Sequence, residues 1–225
     1  MNPKTKGLKN PNLFESDSMG SNDFKLAVLV SGRGTNLQSI IDEIEKGELS
    51  ARISVILSNV EDAPALVRGK KSGIESVFLD PEKYSSREEY DKEMIDLLKS
   101  REVDLVCLSG FMRILGKEFI RSFEGKIINI HPSLLPAFPG LQPQKQALEY
   151  GAKLSGCTVH FVDEKVDHGP IILQTAIPVY DNDDEETLSR RILEQEHILY
   201  PRAIRLLIEK QLTLSGRRVM QTANP

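Results

Sequence analysis

From Lys25 onward, short apolar runs alternate with segments whose apolar residues recur at helical spacing, and this alternation narrows the fold more than any other feature of the chain. Lys25-Leu-Ala-Val-Leu-Val30 is apolar throughout rather than at every second position. That is the pattern of a strand covered on both faces, and it ends in the tight turn Ser31-Gly-Arg-Gly34. Residues 35–46 then carry Leu37, Ile40, Ile41 and Ile44 on one helical face. Residues 53–57 predict a second strand, 63–71 a helix and 77–79 a third strand. Ser86-Arg-Glu-Glu89 fits a capping box ahead of a helix with Tyr90, Met94, Leu97 and Leu98 on one side. Residues 104–108 and 126–130 predict two more strands. The class is therefore α/β, with an open, mostly parallel twisted sheet and helices on both faces. Residues 158–162 and 171–177 flank a polar turn and predict an antiparallel extension near the C-terminal part. Residues 185–210 predict a long helix, broken near Pro201.

A chain of 225 residues with 40% apolar and 28% charged residues suits a single hydrophobic core. Residues 1–23 lack apolar periodicity and read as a flexible tail, 24–215 as the domain, and 216–225 as a C-terminal tail. The net charge of -4 offers no long-range attraction to nucleic acid. No apolar run approaches the length of a membrane span or a secretory signal, which points to the cytoplasm. Cys107 and Cys157 both sit in apolar runs and read as buried thiols.

Three segments bring together residues capable of chemistry. The turn at Gly32, Gly34, Thr35 and Asn36 exposes N–H groups at a helix start, where a phosphate can bind. Leu37 stands where a dinucleotide fingerprint needs glycine, and Asn59 where it needs an acid, so a monophosphate fits better than a nicotinamide cofactor. The same turn serves equally well as a plain tight turn with Thr35 capping the helix. Asn129-Ile-His-Pro132 ends an apolar strand, at the edge of a sheet where ligands bind. Strand alternation puts Asn129 and His131 on one face, where an amide and an imidazole can polarise a carbonyl and receive its developing charge. A buried, backbone-satisfied histidine is the competing reading. Asp163-Glu-Lys-Val-Asp167-His168-Gly169 is a polar turn from which a carboxylate could reach the imidazole and raise its pKa; on its own it also reads as a solvated hairpin. His131, His160, His168 and His197 show no metal-binding spacing, and no metal is expected.

Taken together, Ser31-Gly-Arg-Gly-Thr-Asn-Leu37, Gly110-Phe-Met-Arg-Ile-Leu115, Asn129-Ile-His-Pro-Ser-Leu-Leu-Pro136, Asp167-His-Gly-Pro-Ile-Ile-Leu173 and Gln195-Glu-His197 resemble the folate-dependent formyltransferase family, in family order and over residues 25–214. Phe138-Pro-Gly140 points to the branch acting on glycinamide ribonucleotide. The resemblance implies formyl transfer from 10-formyltetrahydrofolate to the amine of that ribonucleotide. Asn129, His131 and Asp167 would be catalytic. Gly34, Thr35, Asn36 and Glu196 would hold the ribonucleotide. Arg87, Met112, Arg113, Ile114, Leu115 and Asp163 would hold the folate together with Asn129 and Asp167. It implies no nucleic-acid or membrane partner, a monomer or homodimer, and a cis Leu135–Pro136 bond. Hydrolysis of the formyl-folate is the alternative activity. Gln142, Gln144, His168 and Leu193 depart from the usual family pattern.

Overall fold

The computed structural model describes residues 24–222, so the expected N-terminal tail lies outside the described residues. The chain runs β1 (Lys25–Val30), α1 (Thr35–Glu45), β2 (Arg52–Ser58), α2 (Pro64–Lys71), β3 (Ser76–Phe78), α3 (Arg87–Ser100), β4 (Leu105–Leu108), α4 (Lys117–Ser122) and β5 (Ile127–His131). It continues through α5 (Pro143–Tyr150), β6 (Leu154–Phe161), β7 (Ile171–Pro178), α6 (Glu185–Ile208), β8 (Leu212–Ser215) and β9 (Arg218–Gln221). Seven strands form one sheet in the order β3-β2-β1-β4-β5-β6-β7. The first five in this order are parallel, while β6 and β7 pair antiparallel, as the sequence predicts.

Two cores explain why the strands read as continuous apolar runs. Along β1, Leu26, Val28 and Val30 enter the core under α1, α2 and α6, whereas Ala27 and Leu29 enter the core under α3 and α4. Every β1 residue after Lys25 is therefore buried, and none of these positions is left for a polar side chain. Both cysteines are buried and free; burial pushes both thiols up, Cys157 to about 12.

Three local expectations need correction. Ser86 caps α3 through Glu89 N, but the Glu89 carboxylate turns to Ser85 N and Oγ, so the reciprocal bond falls one residue early. The helix does not break at Pro201: α6 runs unbroken through it. Pro201 forfeits one backbone bond, but Tyr200, Ala203, Ile204 and Leu207 around it are all buried. The Tyr200 hydroxyl also lies 2.8 Å from Leu108 O and 3.2 Å from Ile128 O, which anchors the helix to β4 and β5. The chain beyond 215 does not begin as a tail; it turns into β9, which pairs with β8 and contacts β7. Two short helices, α4 and α5, form where no element is predicted. Among the described residues, no helix is long and apolar enough to cross a membrane.

Candidate active site

The chain leaves β1 toward β2 on one side, and returns to β4 on the other. The loops after β1 and β4 therefore diverge and leave a crevice at the carboxyl ends of the strands. Ser31 ties these loops together. Its N–H donates to Gly110 O (3.1 Å), and its Oγ donates to Asn59 Oδ1 (2.6 Å) and accepts from Met112 N (2.8 Å). The crevice opens into a cleft of about 440 Å³ that runs from Asn36 and Glu196, past Asn129 and His131, to residues 110–115 and 163–167.

At its centre, β5 presents Asn129 and His131, and Asp167 reaches them from the β6–β7 connection. Asp167 Oδ2 lies 3.4 Å from His131 Nδ1 and accepts from Gly140 N at 2.8 Å. Its other oxygen lies 3.5 Å from Asn129 Nδ2 and 3.6 Å from His160 Nε2. His131 Nε2 sits 2.9 Å from Phe138 O. A carbonyl can only accept, so Nε2 carries a proton and Nδ1, beside Asp167, is the atom that gains and loses one. Asp167 and Phe138 both adopt left-handed backbone, with φ of 48° and 52°, a strained choice for residues with side chains. The Leu135–Pro136 bond is cis.

Electrostatics corrects one expectation. Burial pulls the His131 pKa below its usual value and prevails over the upward pull of the Phe138 carbonyl and the Asp167 carboxylate. Asp167 thus acts in the expected direction, but burial outweighs it. Burial also pushes the Asp167 carboxyl up, but His160, the Gly140 N–H and His131 together outweigh it and hold the carboxyl below its usual value. His160 has no site role among the expectations from sequence. It sits directly across from Asn129 in the β5–β6 register, with Nδ1 2.7 Å from Phe161 O and Nε2 3.3 Å from Asn129 Nδ2. Nδ1 thus holds a proton. Only the strand register, invisible in a single motif, pairs these two residues.

At one end of the cleft, Gly34 is the N-cap of α1 in left-handed conformation and makes no side-chain cap bond, so Thr35 is not the cap. Backbone bonding in α1 starts with Gln38 N to Gly34 O, so helical geometry gives the N–H groups of residues 35–37 no partner within the helix. A Cβ on Gly34 would lie 2.5 Å from Ala65 Cβ and 2.9 Å from Ala65 Cα, so this glycine is needed for packing against α2 as well as for its φ of 68°. Asn36 and Glu196 line the cleft, whereas Gly34 and Thr35 do not. Glu196 is 6% exposed, its carboxyl pushed up to about 7 by burial despite a 2.7 Å hydrogen bond from Asn36 Nδ2. Asn36 Oδ1 is buried without a hydrogen-bond partner and so can receive a ligand donor.

At the other end, Met112 and Ile114 are 69% and 66% exposed, an apolar wall open to a planar ligand. Arg113 stacks over the Tyr90 ring at 4.6 Å, Leu115 is buried, and Asp91 accepts from Gly116 N at 2.7 Å, which fixes the end of this loop. Asp163 and Gln144 line the cleft. Arg87 does not; it lies 3.9 Å from Asp91 in an adjoining groove that shares Ile114, Leu115 and Glu164 with the cleft. Among the described residues, no three His, Cys, Asp or Glu side chains gather as a metal-binding group.

Residues 24–204 match the family model described as formyl transferase. The chain belongs to the formyltransferase family. Among its relatives in that family, the phosphoribosylglycinamide formyltransferase of Haemophilus influenzae is 46% identical over 191 residues, 84% of this chain and 90% of that protein. The trifunctional purine biosynthetic protein adenosine-3 of Drosophila melanogaster is 47% identical over 193 residues, 85% of this chain. The chain spans only 14% of that longer relative. In structure, this formyltransferase superposes on glycinamide ribonucleotide transformylase 1 from Symbiobacterium toebii with a TM-score of 0.89 and 47% identity, covering 93% of this chain and 99% of the other.

Proposed function

We propose that the chain transfers the formyl group of 10-formyltetrahydrofolate to the amine of glycinamide ribonucleotide in purine biosynthesis. The observation that carries this reading is the placement of Asn129, His131 and Asp167 midway along a cleft with an apolar wall at one end and Asn36 and Glu196 at the other. The apolar wall at Met112 and Ile114, with backbone of residues 113–115, receives the pterin, and Asp163 closes the opposite side. Glu196 and Asn36 receive the ribose hydroxyls, and the open N–H groups at Thr35 and Asn36 the phosphate.

The substrate amine attacks the formyl carbon, and the carbonyl oxygen takes up negative charge. The Asn129 amide, held only by long contacts to His160 and Asp167, donates to that oxygen. A donor so placed lowers the barrier by about 3 kcal/mol. His131 supplies a proton from Nδ1, and Asp167 stabilises the imidazolium and takes part in relaying the proton lost by the amine. Collapse breaks the bond to the folate nitrogen, which leaves as tetrahydrofolate, and the formylated ribonucleotide is released. The same reading places the enzyme in the cytoplasm as a monomer or homodimer, with no nucleic-acid or membrane partner.

Hydrolysis would use the same trio on water. The second polar end of the cleft, at Asn36 and Glu196, favours an amine acceptor instead. Folate absorbance followed with and without glycinamide ribonucleotide tests this: turnover should require the ribonucleotide. Equal turnover in its absence would replace transfer by hydrolysis.

A further inference from the structure

The connection between β6 and β7 carries Asp167 and forms one wall of the cleft, so its position bears on both catalysis and folate binding. Its ends are fixed by the sheet: Phe161 N donates to Pro170 O at 2.9 Å, and Val162 N to Ile127 O at 3.0 Å. Its tip is held from one side by Arg121 on α4, 3.2 Å from Glu164. On the other side, His168 Nδ1 lies 2.7 Å from Asp163 Oδ2, which closes the loop on itself. Arg217, in the turn between β8 and β9, reaches across 49 residues of sequence to this point. One guanidinium nitrogen donates to His168 O at 2.5 Å; the other lies 3.3 and 3.4 Å from the two ring nitrogens. Near-equal distances to both nitrogens place the guanidinium against the ring as a whole rather than along one lone pair.

We propose that Arg217 is a positioning residue that latches the C-terminal hairpin onto the 163–168 loop and thereby holds Asp167 against His131. The latch rests on the transfer reading only for its effect on turnover; its effect on the loop stands apart from it. Asp167 needs such support, because its left-handed backbone costs free energy and persists only when neighbours on both sides hold it. Arg217 secures the carbonyl one residue beyond that strained position, with a charged donor and a planar group that matches the imidazole. It is not among the residues that line the cleft.

The experiment compares wild type with Arg217→Ala, Arg217→Lys and His168→Ala. Amide hydrogen exchange of the 163–168 segment, measured without substrates, should rise about three- to five-fold in Arg217→Ala, the scale of one exposed charged contact. kcat should fall, or the folate KM rise, by a similar factor, with the ribonucleotide KM unchanged. Arg217→Lys should recover part of the loss, since an ammonium can still donate to His168 O. His168→Ala, which removes the ring but keeps the carbonyl, should show a smaller effect than Arg217→Ala. Unchanged exchange in this segment would overturn the latch even if activity fell. Should Arg217→Ala not fold, Arg217→Lys with wild-type exchange and an unchanged folate KM would overturn it equally. Faster exchange in an enzyme that proves not to transfer formyl groups would leave the latch standing and remove only the functional reading.

Discussion

Replacing Asp167 by Asn keeps the shape of the side chain and removes one charge from the centre of the cleft. The amide oxygen can take the place of Oδ2 and still accept from Gly140 N, so the loop keeps its anchor. The lost charge stands 3.4 Å from His131 Nδ1. At an effective dielectric constant of about 20, that separation corresponds to about 5 kcal/mol of attraction, an upper bound on what the pair exchanges. Carboxylates this close typically move a neighbour by about 1–3 pKa units. The His131 pKa, already pulled below its usual value by burial, should fall further by that amount. The protonated fraction at neutral pH then drops about 10- to 1000-fold, and kcat should follow, with both KM values within a small factor. His131→Ala should be at least as damaging. The double variant should lose much less than the product of the single losses, because the two groups act as one unit. The assay pairs turnover by folate absorbance with an NMR titration of the His131 ring. A reduced kcat with an unchanged His131 pKa would refute the coupled acid–base reasoning and leave Asp167 as a holder of Gly140 and water.

Glu196→Gln should change how stability depends on pH. The raised Glu196 pKa, about 7 against 4.5 in the unfolded chain, gives stability that is present at low pH and lost as pH rises through about 7, on the order of 3 kcal/mol in all. The Gln variant should therefore melt higher than wild type at pH 8 and nearly with it at pH 5; an equal offset at both pH values would contradict this. Gly34→Ala should destabilise by about 2–4 kcal/mol, because the new methyl meets Ala65 and the backbone is left-handed, whereas Thr35→Ala, which keeps the backbone N–H, should leave both the melting temperature and the ribonucleotide KM near wild type. Denaturant melts with both KM values separate the two, and a normal melt for Gly34→Ala would remove the packing explanation. Asp91→Ala leaves Gly116 N–H without its acceptor and should raise the folate KM several-fold with the ribonucleotide KM fixed; parallel changes in both would argue against a local effect on the 110–116 loop.

The parallel sheet was readable because β1 and β4 are buried on both faces, so their sequences carry no polar alternation to confuse with another element. The trio was readable because Asn129 and His131 are two apart in one strand and Asp167 belongs to a turn of unusual polarity. What escaped depends on long-range packing. Helix α5 has a proline at its first position and a left-handed Gly151 after its last, both local signals, but its eight residues carry too short an apolar pattern to stand out as a helix. Continuity of α6 at Pro201 is decided by the core beneath it, and the sign of the His131 pKa by its burial; neither quantity is written in neighbouring residues. The phosphate-turn reading of Gly34 carries no hint that the glycine is also needed for packing against Ala65, on the next helix. His160 meets Asn129 only through the register of an antiparallel pair.

The hydrogen bond between Asn36 and Glu196 spans 160 positions of sequence and joins the first helix to the last. Neither partner can complete this end of the cleft until α6 has packed across the sheet, so under the proposed function a chain without α6 in place has no ribonucleotide site there. Partly folded forms lacking α6 gain nothing from that ligand, and the fully assembled form alone gains its binding free energy. Under the proposed function, a saturating ribonucleotide acts as a selective brace on the finished enzyme. It will slow proteolysis that starts with the release of α6 while leaving half-made chains as vulnerable as before.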